Sequence, residues 1–204
     1  MTLNHGIVGS SPREGTSNLK FIRHPAFMSG IRVLKRVARN KDNASYRRNE
    51  VLISYREGDF LSCVGKLLSD IREGERIYAS IDERDILKAQ VRFTNDLNEI
   101  MRIGSPATAR DAFFRKMDGK WASALGNSTS RITKRFLFDW DDPCPRNAEV
   151  VQGQLHTFSR APVYSYATKS GYHFVTEPFN PSKLPQHLAG KYQSNGSLLW
   201  AYHE

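Results

Sequence analysis

The chain has 204 residues, of which 39% are hydrophobic and 25% charged, and its formal net charge is +9. This composition is that of a globular protein, and the length suits one domain or one domain with an extended arm. No apolar run approaches the ~18 residues of a membrane span, and the first residues do not form a secretory signal, so we expect a cytoplasmic protein without a membrane partner. Two cysteines outside any Cys-x-x-Cys pair argue against a disulfide framework and a structural zinc site.

The positive charge is concentrated in the first quarter of the chain. Residues 1–48 carry ten Lys or Arg and two acids, which gives +8 and leaves +1 of the total for residues 49–204. We therefore divide the chain into a basic N-terminal arm, residues 1–48, and a domain, residues 49–204. The asymmetry indicates a polyanionic partner such as DNA or RNA, and a solvated face that aids solubility is the alternative.

Residues 29–40 of the arm are predicted to form a short amphipathic helix. Ser29 is a suitable cap, and apolar residues follow it at helical spacing. This stripe, which we expect to dock on the domain, consists of Ile31, Leu34, Val37 and Ala38. The basic residues that we expect to contact nucleic acid are Arg32, Lys35, Arg36, Arg39, Arg47 and Arg48.

The domain mixes strand and helix patterns. Strands are predicted at 51–55, 76–81, 135–140, 163–168, 172–176 and 198–202, and helices at 60–68, 82–102 and 107–117. Asp82 is the expected cap of the helix 82–102, whose stripe of Ile86, Phe93, Leu97 and Ile100 should pack on the sheet. The pattern predicts an α+β fold with a mixed, largely antiparallel sheet and flanking helices.

Paired acids follow the most apolar of these strands. Residues 136–142 read Phe-Leu-Phe-Asp-Trp-Asp-Asp, and side chains on alternate strand residues point to the same face. Asp139 and Asp141 can therefore meet one divalent cation, Mg²⁺ or Mn²⁺. The ordinary structural alternative is that the acids end the strand and begin a turn at Pro143.

A second motif lies about thirty residues further on. Residues 168–175 read Thr-Lys-Ser-Gly-Tyr-His-Phe-Val, a turn between two strands that is typical of a hairpin. His173 projects from the second strand, where it could face a nucleotide phosphate or be a half-exposed strand residue. Lys169 and Ser170 occupy the turn.

In these two motifs the chain resembles the archaeo-eukaryotic primase superfamily, and it is also similar to uncharacterised small proteins of tailed phages. The resemblance covers residues 136–176 and implies a primase-like core, related to the RRM-like fold, with nucleotidyltransferase activity. It implies that Asp139 and Asp141 bind the catalytic metal and that His173 contacts a nucleoside triphosphate, supported by Lys169 and Ser170. The family also uses a third acid beyond the His, and the last predicted strand, residues 198–202, contains none.

Two other functions remain open at this point. A binding protein without catalysis, directed at a nucleic acid or a host protein, would use the same basic arm, and the missing third acid favours it. Haloacid-dehalogenase phosphatases also end an apolar strand in Asp-x-Asp, but there the motif opens the domain and Gly-Thr follows it. Here Pro-Cys-Pro follows at residues 143–145.

Overall fold

The computed structural model describes residues 19–21, 30–38, 48–102, 106–159, 163–168 and 170–203. These residues form nine strands and five α-helices. The strands are β1 (Leu19–Phe21), β2 (Arg32–Ala38), β3 (Asn49–Ser54), β4 (Glu75–Ser80), β5 (Phe136–Trp140), β6 (Tyr164–Ala167), β7 (Tyr172–Thr176), β8 (Tyr192–Gln193) and β9 (Ser197–His203). The helices are α1 (Glu57–Leu68), α2 (Ile86–Met101), α3 (Ala107–Arg115), α4 (Met117–Gly126) and α5 (Pro145–Phe158).

The strands make two antiparallel sheets. The first has five strands in the order β1-β9-β4-β2-β3, and the second has four in the order β6-β7-β5-β8. The predicted α+β class with antiparallel pairing is confirmed. The pairing is divided between two sheets, however, and the acidic strand β5 is an interior strand of the second one.

Each sheet buries its outer face under one helix. α1 covers the first sheet with a cluster that includes Phe60, Leu67 and Trp200, and the rings of Phe60 and Trp200 meet edge to face at 4.7 Å. α5 covers the second sheet with a cluster around Phe138 and Phe174. Burying such a side chain stabilises the fold by about 1.5–3 kcal/mol, so these clusters account for much of the stability of each layer.

The inner faces of the two sheets meet in a third apolar cluster. Leu198 and Leu199 of β9 pack there against Leu137 and Val175 of the second sheet. Because this cluster holds the sheets together at one end, the space beside it is a cleft between two sheet faces. Period-two alternation then decides which side chains enter that cleft.

The helix predicted for residues 29–40 is wrong, because Arg32–Ala38 within that range form the strand β2. It pairs with β3 on one side and β4 on the other, so it is interior to the first sheet. The basic arm is therefore not separate from the domain at residue 48, because residues 32–38 belong to the sheet. The apolar residues that fit a helical stripe also fit a strand that is covered on both faces.

The long helix differs from its prediction at its start. α2 begins at Ile86, and its cap is Asp85, whose carboxylate accepts a hydrogen bond from the Lys88 N–H at 3.1 Å. Asp82 is instead fully buried beside Arg131, with 3.3 Å between Oδ2 and Nη1. Burial raises the pKa of Asp82, and Arg131 opposes that shift.

The stripe of α2 packs mainly on helices rather than on the sheet. Its contacts are mostly with α4, the turn that follows α4, and α3. The ring of Phe93 lies 5.9 Å from Phe113 and 5.7 Å from Trp121, and Phe93 and Trp121 belong to the apolar cluster that contains Val33 of β2. α2 therefore packs on α4, and its side chains reach the first sheet at the cluster that contains Val33.

Candidate functional site

The acidic strand β5 sends alternate side chains to the two faces of the second sheet. Phe138 points to the α5 side, and Leu137 and Asp139 line the cleft between the sheets. Asp141 lies just beyond the strand end and lines the same cleft. The predicted shared face of Asp139 and Asp141 is confirmed, and both carboxylates are accessible, since Asp139 is 48% exposed and Asp141 is exposed.

His173 lies directly across from Asp139. The two residues are register partners on β5 and β7, and Nε2 of His173 is 3.0 Å from Oδ1 of Asp139. On the other side of the ring, Nδ1 is 2.5 Å from the hydroxyl of Tyr166. The position predicted for His173, on the same sheet face as Asp139, is confirmed.

Tyr166 connects this pair to the first sheet. Its hydroxyl accepts a hydrogen bond from the Leu199 N–H at 3.3 Å, and its side chain is 4% exposed. Burial raises the pKa of Tyr166 well above its ordinary value, so the hydroxyl keeps its proton. A hydroxyl that accepts from Leu199 can donate its own proton to Nδ1 of His173, and the ring then presents an Nε2 N–H to Asp139.

The turn between β6 and β7 forms the rim of the cleft. The Thr168 N–H donates to the Gly171 carbonyl at 2.7 Å, and this closes the hairpin that the sequence predicts. Thr168 and Ser170 line the cleft next to His173. Lys169, predicted to support the phosphates, lies outside the described residues.

The first sheet supplies the opposite wall of the cleft. Lys35 of β2 and Arg76 and Tyr78 of β4 face Asp139 and His173 across a cavity of about 330 Å³. Arg76 was missed by the sequence prediction. The sequence nevertheless indicates its orientation, because alternation along a strand with Ile77 and Ala79 facing inward places Arg76 and Tyr78 on the other face.

Asp142 is structurally distinct from the two acids that precede it. Its carboxylate accepts hydrogen bonds from the Cys144 N–H at 2.8 Å and from Nδ2 of Asn147 at 2.7 Å, at the start of α5. The Cys144 contact, and then the Asn147 contact, lower the pKa of Asp142. The turn role suggested for all three acids therefore describes Asp142.

The donors of the cleft fit a cation only in part. Among the described residues no group of three or more His, Cys, Asp or Glu side chains is arranged to hold a metal. Asp139 and Asp141 nevertheless offer carboxylate oxygens on one face. Mg²⁺ commonly takes one or two protein carboxylates and completes its shell with water and substrate phosphates, so this pair fits a cation that arrives with phosphates.

The basic residues predicted to bind nucleic acid divide into three groups. Arg32 and Arg36 are each only 1% exposed, which corrects their assignment to a nucleic-acid surface. Arg32 donates to the Ile81 carbonyl at 2.7 Å, and Arg36 donates to the Leu67 carbonyl at 2.7 Å and contacts Glu50 and Asp70. Both guanidinium groups are therefore internal ties between β2 and its neighbours.

For the remaining basic residues, contact with nucleic acid stays a prediction. Lys35 is exposed, and Arg48 is 26% exposed, with Nη2 2.7 Å from Oδ2 of Asp70. Arg39 and Arg47 lie outside the described residues. Of the predicted set that the structure describes, Lys35 is thus the cation that faces the cleft.

Comparisons with known proteins returned no match: no family model, no curated protein and no solved structure is significantly similar to this chain. Among the described residues, no helix combines the length and the apolar character needed to cross a bilayer.

Proposed function

We propose that the cleft between the two sheets binds a nucleoside triphosphate with Mg²⁺ or Mn²⁺ in a primase-like nucleotidyltransferase site. The observation that carries the proposal is the convergence of Asp139, Asp141, Ser170 and His173 on one open cleft, from two segments that are about thirty residues apart. The two carboxylates suit a cation and the Ser170 hydroxyl suits a phosphate chain. The His173 ring contacts Tyr166 and Asp139 through its two nitrogens, so it would orient Asp139.

The charge of the facing wall supports phosphate binding. Lys35 and Arg76 place positive charge opposite the two carboxylates. A triphosphate between the walls would meet these cations and the Ser170 hydroxyl on its outer oxygens. The bound cation would neutralise the oxygens that face Asp139 and Asp141, which is the main contribution a metal makes to phosphoryl transfer.

The residues of the cleft would act mostly by positioning. His173 is held by Tyr166 on one side and Asp139 on the other, so its ring is already oriented before any ligand binds. Such preorganisation avoids the loss of side-chain freedom on binding and lowers the barrier of a transfer step. In a primase-like reaction the 3′-hydroxyl of a nucleotide or of a growing strand would attack the α-phosphorus of the triphosphate, pyrophosphate would leave, and nucleic acid would be the template.

A titration calorimetry experiment tests the binding site. Each nucleoside triphosphate is titrated into the protein with Mn²⁺ and again with EDTA. We expect binding that needs Mn²⁺ and is lost in Asp139→Asn and in Asp141→Asn. Binding that is unchanged in both variants would contradict the proposed site.

Asp142→Asn is the matched control for these variants. It removes the same charge one residue away, from a carboxylate that is occupied by the Cys144 and Asn147 contacts. It should therefore preserve nucleotide affinity while it weakens the start of α5. A loss of nucleotide affinity in Asp142→Asn equal to that in Asp141→Asn would show that the effect is only one of net charge.

The second candidate is a binding protein that holds nucleotide or nucleic acid without catalysis. The observation that favours it is the count of acids in the cleft, because Asp139 and Asp141 are the only carboxylates among its described lining residues. Incorporation of labelled nucleotide on a single-stranded template, lost in Asp139→Asn, would support the transferase. Mn²⁺-dependent nucleotide binding without incorporation on DNA or RNA would support the second candidate.

A further inference from the structure

A second cavity adjoins the cleft. It has a volume of about 420 Å³ and lies between strands β2 and β3 and the helix α4. Lys35 and Asn195 line both cavities, so the two are neighbours that share a wall. Ligand sites in proteins commonly have volumes of about 300–1,000 Å³. Each cavity is therefore large enough for a small ligand or for one part of a larger ligand.

The second cavity differs from the cleft in its chemistry. Lys35 is the one charged residue among its described lining residues. The polar groups beside it are the amides and hydroxyls of Asn49, Asn127, Asn195, Ser123 and Ser128. Neutral donors and acceptors of this kind suit a sugar and a nucleobase rather than phosphates. The cleft, with two carboxylates and two cations, suits a metal and phosphates.

Its open shape comes from α4. Gly119, Ser123 and Gly126 recur on one face of that helix, and a Cβ built on either glycine meets no atom within 4 Å. Asn195 is held in place on the opposite side. Its Oδ1 accepts from Nη2 of Arg84 at 3.0 Å, and its Nδ2 donates to the Gly126 carbonyl at 3.0 Å.

We infer that the second cavity holds the sugar and base of the nucleoside triphosphate whose phosphates occupy the cleft, with Lys35 at the junction. A nucleotide joins a charged phosphate chain to a neutral nucleoside, and the two cavities divide charge in the same way on either side of Lys35. The inference depends on the proposed function, because it assumes that the phosphates bind in the cleft.

The test compares nucleotides with inorganic tripolyphosphate, which has the phosphates alone. Affinities of the full-length protein for the four ribonucleoside triphosphates, their deoxy counterparts and tripolyphosphate are measured by calorimetry with Mn²⁺. We expect at least one nucleotide to bind about tenfold or more tighter than tripolyphosphate, because the neutral part makes contacts of its own.

Leucine on α4 fills the second cavity without removing any side chain of the cleft. Gly119→Leu and Gly126→Leu are made separately, since each glycine has open space around it and Leu is the better helix former. Both variants should lose the advantage of nucleotide over tripolyphosphate and keep the affinity for tripolyphosphate. Gly65→Leu on α1 is the matched control, because Gly65 is equally open and lines neither cavity.

The outcomes separate this inference from the proposed function. Absence of both nucleotide and tripolyphosphate binding in the wild-type protein overturns both. Tripolyphosphate binding without any nucleotide advantage, or an advantage that survives in both α4 variants, overturns only the inference. If the α4 variants lose affinity for a single-stranded oligonucleotide and keep it for nucleotides, the cavity holds a nucleic-acid strand, and the inference is also overturned.

Discussion

Gly171 lies so close to Trp140 that no side chain can fit between them. A Cβ on Gly171 would lie 1.9 Å from the Trp140 carbonyl oxygen and 2.8 Å from the Asp142 N–H nitrogen. The turn that carries Ser170 is thus seated directly on the end of the acidic strand. This contact ties the two motifs of the candidate site together at the backbone level.

Gly171→Ala should therefore disturb both the fold and the site. Because backbone atoms must move to admit the methyl group, we expect a loss of about 1–3 kcal/mol in the free energy of unfolding, measured in urea. Displacement of Ser170 should also weaken Mn²⁺-dependent triphosphate binding. Gly153→Ala on α5 is the control, since its Cβ meets nothing and should add roughly 0.5–1 kcal/mol. A Gly171→Ala protein as stable as the wild type would contradict the packing described.

Tyr166→Phe tests the link between the two sheets. The change removes the hydrogen bond from the Leu199 N–H and the contact with Nδ1 of His173. Loss of buried hydrogen bonds should reduce the free energy of unfolding by about 1–3 kcal/mol, measured by chemical denaturation. Tyr192→Phe is the control, because Tyr192 packs by its ring against Phe136. If both substitutions change the free energy of unfolding by the same small amount, the Tyr166 hydroxyl does not stabilise the contact between the sheets.

Lys35 and Arg36 are neighbours in sequence, but we expect substitution of Lys35 to lower triphosphate affinity and substitution of Arg36 to lower stability. Lys35→Met should leave the free energy of unfolding within about 0.5 kcal/mol, since the side chain is exposed, and should lower triphosphate affinity. Arg36→Met should instead cost roughly 2–3 kcal/mol. This loss of stability is smaller than the loss expected on breaking a fully buried ion pair, because the side chains of Glu50 and Asp70 are 37% and 52% exposed.

Thermal unfolding and calorimetry on both variants check this pair. A Lys35→Met protein that unfolds much earlier would mean that Lys35 is a structural residue. An Arg36→Met protein that keeps its stability and loses nucleotide binding would restore the surface role that the sequence suggested.

The ion pairs of Asp70 predict a specific pH dependence. Arg36, and then Arg48, lower the pKa of Asp70 from 3.8 to about 2. A carboxyl group whose pKa is lower in the folded state contributes stability above its unfolded pKa, and this contribution is lost as the pH falls through the folded value. Asp70→Asn should therefore be less stable than the wild type at pH 7, and the difference should shrink below about pH 4 and vanish only below about pH 2. Urea midpoints measured across that range check it, and a difference that is constant with pH would contradict it.

The sequence predicted the core of the candidate site well because that site depends on local alternation. The apolar strand, the paired acids and the Ser-Gly turn each contain their own signal, and antiparallel pairing then brought Asp139 and His173 together. The facing wall could not be predicted from local pattern alone, because it depends on how the first sheet stacks on the second. Arg76 was on a predicted strand, but nothing in that strand indicates what its polar face meets.

The failure at β2 has a different physical cause. The helical spacing of the apolar residues predicts a helix at residues 29–40, with Arg32 and Arg36 among the residues that contact nucleic acid. In the structure the long guanidinium side chains reach carbonyl groups at the ends of neighbouring elements, which satisfies their donors inside the protein. The pattern of polar and apolar residues in the sequence does not indicate acceptors that are so distant along the chain.

The position of β9 has a consequence for how the protein folds. β9 pairs with β4 and β1 in the middle of the first sheet, and more than a hundred residues separate it from β4. Contacts between such distant segments slow folding, because a long loop must close before the pairing stabilises anything. On a ribosome, β2, β3 and β4 can pair early, whereas the first sheet stays incomplete until residues 197–203 are available. Until then β4 has an unpaired edge, and we expect this edge to be the point at which the nascent protein is most exposed to aggregation.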